Sequence, residues 1–162
     1  MVITVGGEEF TIPALPAADW LAALMSEAFS LDDLFPGLLD EEDQDRAVEA
    51  LMAHMHDMDQ FSKLTLDIVE LASGRAWWVA LRLIGAAVGS WDVIGAEMFL
   101  KQVNPEHLSL AAWLDVVLLV MLRSMDEKDI TMFMLRLEAP PPEAQEEADE
   151  MTMSREAFTS MM

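Results

Sequence analysis

Across residues 110–122, thirteen consecutive positions carry a single charge, Asp115. Within that run Leu110, Trp113, Leu114, Val117, Leu118 and Met121 recur at helical spacing, while Val116, Leu119 and Val120 fill the opposite side. A helix apolar on both sides belongs at the centre of a bundle. The run is shorter than the roughly 20 residues a membrane span needs, so it reads as the buried spine of a folded body. It sits inside a longer apolar, tryptophan-rich block over residues 74–137, which stops at Ala139-Pro140-Pro141-Pro142. Prolines withhold the N–H groups a continuing helix requires. The predicted fold is all-α: a compact bundle of six to seven helices with a small N-terminal β-hairpin and a disordered acidic C-terminal tail.

Local signals divide the chain further. Val2 to Val5 and Phe10 to Ile12 are β-prone runs around Gly6-Gly7, and two glycines supply the positive φ values of a tight hairpin turn. Pro13 and Pro16 end the hairpin, giving a first unit of residues 1–16. A helical domain over 17–138 follows. Its first helix is predicted over 17–29, with 30–39, which contains Pro36-Gly37, as a linker. Ala47, Ala50, Leu51, His54, Met55 and Met58 form the stripe of the next helix. Further helices are predicted over 61–72, closed by Gly74, over 75–88, over 91–103, from Leu110 after an N-cap at Ser109, and over 127–137 after an N-cap at Asp126. Asn104-Pro105 is a firm break, because the residue before proline avoids the helical region. Residues 139–162 are predicted to be a proline-led, disordered acidic tail.

The 30 acidic and 9 basic side chains give a formal charge of −21. Residues 1–137 hold 23 acids and 8 bases, and the remainder holds 7 and 1, so the excess is −15 on the body and −6 on the tail. Such a surface repels nucleic-acid phosphates and anionic lipid, and it suits basic partners. The absence of cysteine excludes disulfides, thiol catalysis and zinc–cysteine sites. The N-terminus has neither the basic region nor the apolar core of a signal peptide.

Candidate chemical sites are sparse. His54, His56, Asp57 and Asp59 resemble a metal cluster, but on a helix residues two apart point about 200° from each other. His54 falls in the apolar stripe and reads as a core histidine. The acidic run over 40–45 lacks the glycine and distal glutamate of a calcium loop, and it reads as a solvated helix start. No phosphate loop, nucleophile elbow or dinucleotide fingerprint occurs. The expectation is a protein without catalytic, cofactor or metal site. Candidate partner-binding residues are Trp77 and Trp78, one as core and the other as an interface anchor. Met121, Met125, Met132 and Met134, four of 14 methionines, join them. Methionine fills irregular core gaps and also lines adaptable grooves, and both uses remain open here.

The order of these features resembles the tail assembly chaperones of long-tailed (siphovirus-type) phages infecting actinobacteria. The matching stretches are Gly74-Arg75-Ala76-Trp77-Trp78, Arg82-Leu83-Ile84, Trp91 and Val103-Asn104-Pro105. They continue through Leu108-Ser109-Leu110-Ala111-Ala112-Trp113-Leu114-Asp115 to the short closing helix and Pro140-Pro141-Pro142. At the N-terminus, the hairpin with Pro13-Ala14-Leu15-Pro16 and Asp19-Trp20-Leu21 is similar too. Ala76 departs from the family, which has proline after the arginine. The resemblance spans most of residues 1–142 and implies a non-catalytic helper that binds the tape-measure protein and assists assembly of the tail-tube protein. It implies host-cytoplasmic residence, absence from the mature virion, and a programmed frameshift near the proline run that yields a longer product. It leaves room for a homo-oligomer and points away from nucleic acid and membrane. Two rival expectations are a virion structural subunit of the tail or connector, and an acidic DNA mimic that sequesters a basic host protein.

Overall fold

The computed structural model describes residues 1–25, 31–55, 58–142 and 144–145, with backbone alone for 31–33 and 58. Strands β1 (Val2–Val5) and β2 (Glu8–Thr11) pair antiparallel, with Ile3 opposite Phe10 and Val5 opposite Glu8. Gly6 and Gly7 take φ of +60° and +90°, the left-handed region that glycine enters without strain. Ile3, Val5, Phe10 and Ile12 are all buried. Beyond the strands, the Ile12 N–H donates to the Met1 carbonyl and the terminal ammonium donates to the Ile12 carbonyl, each at 2.8 Å. A free two-stranded hairpin is marginal in water. This one lies on the chain's own helices, with Phe10 edge-on to Phe35 at 5.6 Å.

Eight α-helices follow among the described residues, so the all-α expectation holds with a count above the predicted six to seven. They are α1 (Ala17–Leu24), α2 (Leu31–Gly37), α3 (Glu41–His54), α4 (Met58–Ser73), α5 (Trp77–Gly89), α6 (Trp91–Leu100), α7 (Leu110–Arg123) and α8 (Glu127–Glu138). A 3-10 turn at Pro105–His107 precedes α7. As the apolar run predicts, α7 is central: Leu110, Trp113, Leu114 and Val117 are buried, and α1, α4, α5 and α6 pack around it. It is not fully enclosed. Asp115 and Leu119, one turn apart, face outward, and Arg75 forms an ion pair with Asp115. Opposite α7, α5 buries Val79, Ala80, Leu83, Ile84 and Ala87.

Some helix ends fall where the local signals place them. But α3 stops at His54, so Met58 starts α4 instead of extending the α3 stripe, and α6 ends at Leu100 instead of residue 103. The Ser109 hydroxyl accepts from the Ala112 N–H at 3.3 Å, and the Asp126 carboxylate accepts from the Asp129 N–H at 3.0 Å. Gly74, at φ +64°, closes α4. At the far end of the body, the Arg82 Nη1 donates to the carbonyls of Arg136 (2.7 Å), Leu137 (3.1 Å) and Ala139 (2.6 Å). The Trp78 Nε1 donates to the Glu138 carbonyl at 3.3 Å. A cation over the negative end of α8 satisfies carbonyls the helix itself leaves unpaired. Beyond the prolines, the Gln145 N–H donates to the Pro141 carbonyl at 3.1 Å. Residues 146–162, on which most of the expected tail falls, lie outside the described residues.

Three further expectations are corrected. The predicted linker over 30–39 contains α2, with Pro36 inside it. Leu34, Phe35, Leu38 and Leu39 are buried against the body, and that burial offsets the donor that Pro36 lacks. The first helix stops at Leu24 instead of reaching residue 29, and residues 26–30 lie outside the described residues. His54 is exposed instead of core, because the buried stripe of α3 ends at Leu51. Its imidazole covers the hairpin turn, where a Cβ on Gly6 would sit 1.9 Å from His54 Cδ2.

Gly6 is therefore held by both its φ and its neighbour. Gly6→Ala is expected to lower unfolding stability by about 1–3 kcal/mol, read from the urea midpoint. Adding His54→Ala should recover the steric part and leave the backbone part. Removing the Arg82 clamp by Arg82→Ala should cost about 1 kcal/mol, with the loss of amide-exchange protection concentrated in α8.

Candidate partner-binding surface

The residues singled out from the sequence are mostly used inside the molecule. Trp77 and Trp78 are both half-buried and stack edge-to-face at 5.6 Å. Neither is fully core. Trp78 packs against the core and holds the end of α8, while the Trp77 N–H donates to the Glu70 carboxylate at 3.1 Å. Met121 and Met134 are half-buried against the core, and Met125 is half-buried in the turn between α7 and α8. Met132 is exposed. Met132 and Met134, two residues apart, fall on opposite sides of α8, so these methionines do not share one face.

The apolar surface lies instead on α6. Its large residues, Trp91, Val93, Ile94, Met98, Phe99 and Leu100, are spread around the helix, and only Ile94 and Met98 reach the core. Phe99 is 82% exposed, Leu100 74%, Val93 54% and Trp91 49%. The cause is a bend of 89° between α5 and α6 at Ser90. It turns α6 away from the packed layer, so one side of an all-round apolar helix finds no neighbour among the described residues. Contiguous exposed apolar residues of this size mark interaction sites more often than chance surface. The signal was legible: a helix apolar all round is either buried or waiting for a partner. Helical periodicity does not reveal it, because the apolar residues of α6 follow no single face.

Two hollows flank Trp91. One, of about 700 Å³, runs beside α6 and is lined by Trp91, Gly95, Met98, Phe99 and the residues of the following turn. The other, of about 360 Å³, opens between α1, α5 and α7, with Leu21, Met25 and Val88 at its walls and the buried Ala87 and Trp113 at its floor. The Trp113 indole nitrogen is buried without an acceptor among the described residues. Gly95 lets the Trp91 indole lie against the helix backbone, since a Cβ there would meet that ring at 3.2 Å.

The far end of α6 is built under strain. The Val103 N–H donates to the Met98 carbonyl at 2.9 Å and the Gln102 N–H to the Phe99 carbonyl at 3.1 Å. These are the two bonds of a Schellman cap, which places the intervening residue in the left-handed region. That residue is Gln102, at φ +55°, the one non-glycine with positive φ among the described residues. One turn back, Lys101 Nζ sits 2.8 Å from the Glu97 carboxylate. Its hydrogen bond, then its charge, hold the Glu97 carboxyl below the ordinary range. That contribution is present above the ordinary carboxylate pKa and is lost as pH falls through the lowered one.

Burying Trp91, Phe99 and Leu100 under a partner is worth on the order of 4.5 kcal/mol in total, at about 1.5 kcal/mol each. Association itself costs about 4 kcal/mol or more. This surface therefore supports weak, reversible docking unless further contacts join it.

Among the described residues no group of three acidic or histidine side chains is placed to hold a metal ion. Of the histidine–aspartate cluster weighed from the sequence, His56 and Asp57 lie outside the described residues. No single described helix is long and apolar enough to cross a membrane; α5 and α6 together have the length and composition, but as a sharply bent pair. No protein-family model, curated protein or solved structure matches the chain.

The strain at Gln102 is open to direct measurement. Gln102→Gly is expected to raise stability by about 0.5–1 kcal/mol, seen as a higher urea midpoint at unchanged slope.

Proposed function

We propose that this protein is a non-catalytic tail assembly chaperone of a long-tailed phage, binding the tape-measure protein and assisting tail-tube assembly. The observation that supports it best is the exposed apolar face of α6 on a chain of net charge −21. An apolar surface of this kind has no use on a free-standing protein, and the surrounding charge keeps both protein and client in solution. The sequence pattern from Gly74 to the proline run supplies the client's identity, and α6 begins at one of its matching residues, Trp91. Weak docking suits a helper that must release its client once the tube has formed.

On this reading the protein works in the host cytoplasm and is absent from finished particles. Co-expression with the tape-measure and tail-tube proteins of the same phage is expected to give a complex with at least one of them and to raise its solubility. Capture of neither, with both clients soluble alone, refutes the reading. Detection of the chain at structural copy number in purified virions by mass spectrometry would assign it to the tail or connector instead.

A further inference from the structure

We infer that the groove along α6 receives a single amphipathic helix of a partner protein, apolar toward the groove and basic on its outer face. The inference rests on the reading of the chain as an assembly helper and names the chemistry of the segment it holds.

The groove follows a helix axis. Trp91, Gly95, Met98 and Phe99 recur at i, i+4, i+7 and i+8 along its wall, a stripe of about 15 Å over the ten residues of α6. At its centre Gly95 makes room for the Trp91 indole, which lies where a Cβ would be and extends the apolar wall. The wall is mostly apolar. Gln102 and Asn104 stand at one end, and Asn104 is committed to Glu106, accepting from its N–H at 3.0 Å and donating to its carboxylate at 3.2 Å. An extended segment laid here would leave N–H and carbonyl groups without partners, at a cost of the same order as the hydrogen bonds lost. A helix pairs them internally. The same want of orienting polar groups disfavours a small polar ligand.

Charge selects among helical occupants. A second copy brings another −21, and the chain's own residues 146–162 hold five acids and one base. Both are repelled by a body of −15. Asp92 and Glu106 are exposed and adjoin in the chain the lining residues Trp91 and Pro105, so lysines or arginines flanking an apolar stripe would suit them. Trp91, with a hollow on either side, forms the ridge over which the helix lies, placing apolar side chains to left and right in the helix-in-groove mode.

The probe is a labelled leucine–lysine peptide of about 18 residues patterned as an amphipathic helix, titrated with the full-length protein by fluorescence anisotropy. Expected is binding about tenfold tighter than a scramble of the same composition, persisting at about 0.5 M salt, and none by a leucine–glutamate helix of the same pattern. Phe99→Gln with Leu100→Gln should weaken it about tenfold or more. Both side chains are exposed and glutamine is a good helix former, so circular dichroism should show an unchanged fold. Equal binding of the scramble, or unchanged binding by the double variant, overturns the proposal. Three further results do the same by assigning the groove elsewhere: a dimer that the double variant disperses, a large gain in peptide affinity on removing residues 146–162, or binding to phosphatidylcholine vesicles that the double variant loses. The two readings separate in co-expression. Clients captured equally by wild type and double variant leave the chaperone standing without this groove. Peptide binding without client capture leaves the groove standing and removes the chaperone.

Discussion

Packing of α7 against α5 decides where the remaining helices go. Leu110, Trp113, Leu114 and Val117 on one side meet Ala80, Leu83, Ile84 and Ala87 on the other, all buried. Two alanines, a leucine and an isoleucine form the α5 side of this contact. The chain turns by 89° at Ser90, and α6 leaves the layer with only Ile94 and Met98 in contact with the core. The exposed face of α6 thus follows from its turn away from the α5–α7 layer.

The same pair organises the two ends of the molecule. Arg75 ties the start of α5 to Asp115 of α7, and Arg82 with Trp78 holds the carbonyl end of α8. The last helix is therefore anchored one residue before the three prolines. Whatever follows them leaves from a defined place. At the N-terminus the hairpin is held by Phe10 against Phe35, with Arg46 over the Phe10 ring at 5.2 Å and within 3.2 Å of Glu8. That ion pair is exposed and adds little by itself, so the buried apolar face holds the hairpin in place.

Much of the fold was legible because its signals are short-range. Gly6-Gly7 required a turn, Ser109 and Asp126 required helix starts, and Asn104-Pro105 required a break, each through backbone geometry or a hydrogen bond spanning two or three residues. The short helix at Leu31–Gly37 was not legible, since Pro36-Gly37 argues against a helix and only burial of Leu34, Phe35, Leu38 and Leu39 outweighs it. His54 was misread for a related reason: its position continues an apolar stripe, but the neighbour at that height is the edge of a hairpin turn.

The candidate surface shows the division most plainly. By itself the sequence determined an all-helical body, its central helix, its turns and caps, and an acidic exterior, because dihedral limits and nearest-neighbour hydrogen bonds act within a few residues. It placed the partner-binding residues on Trp77, Trp78 and the late methionines, most of which the packed molecule uses internally. Tertiary structure alone decided that Phe99, Leu100 and half of Trp91 face water. Whether an apolar side chain is buried depends on which element comes alongside it, and that is a property of the whole packing, not of any stretch of chain.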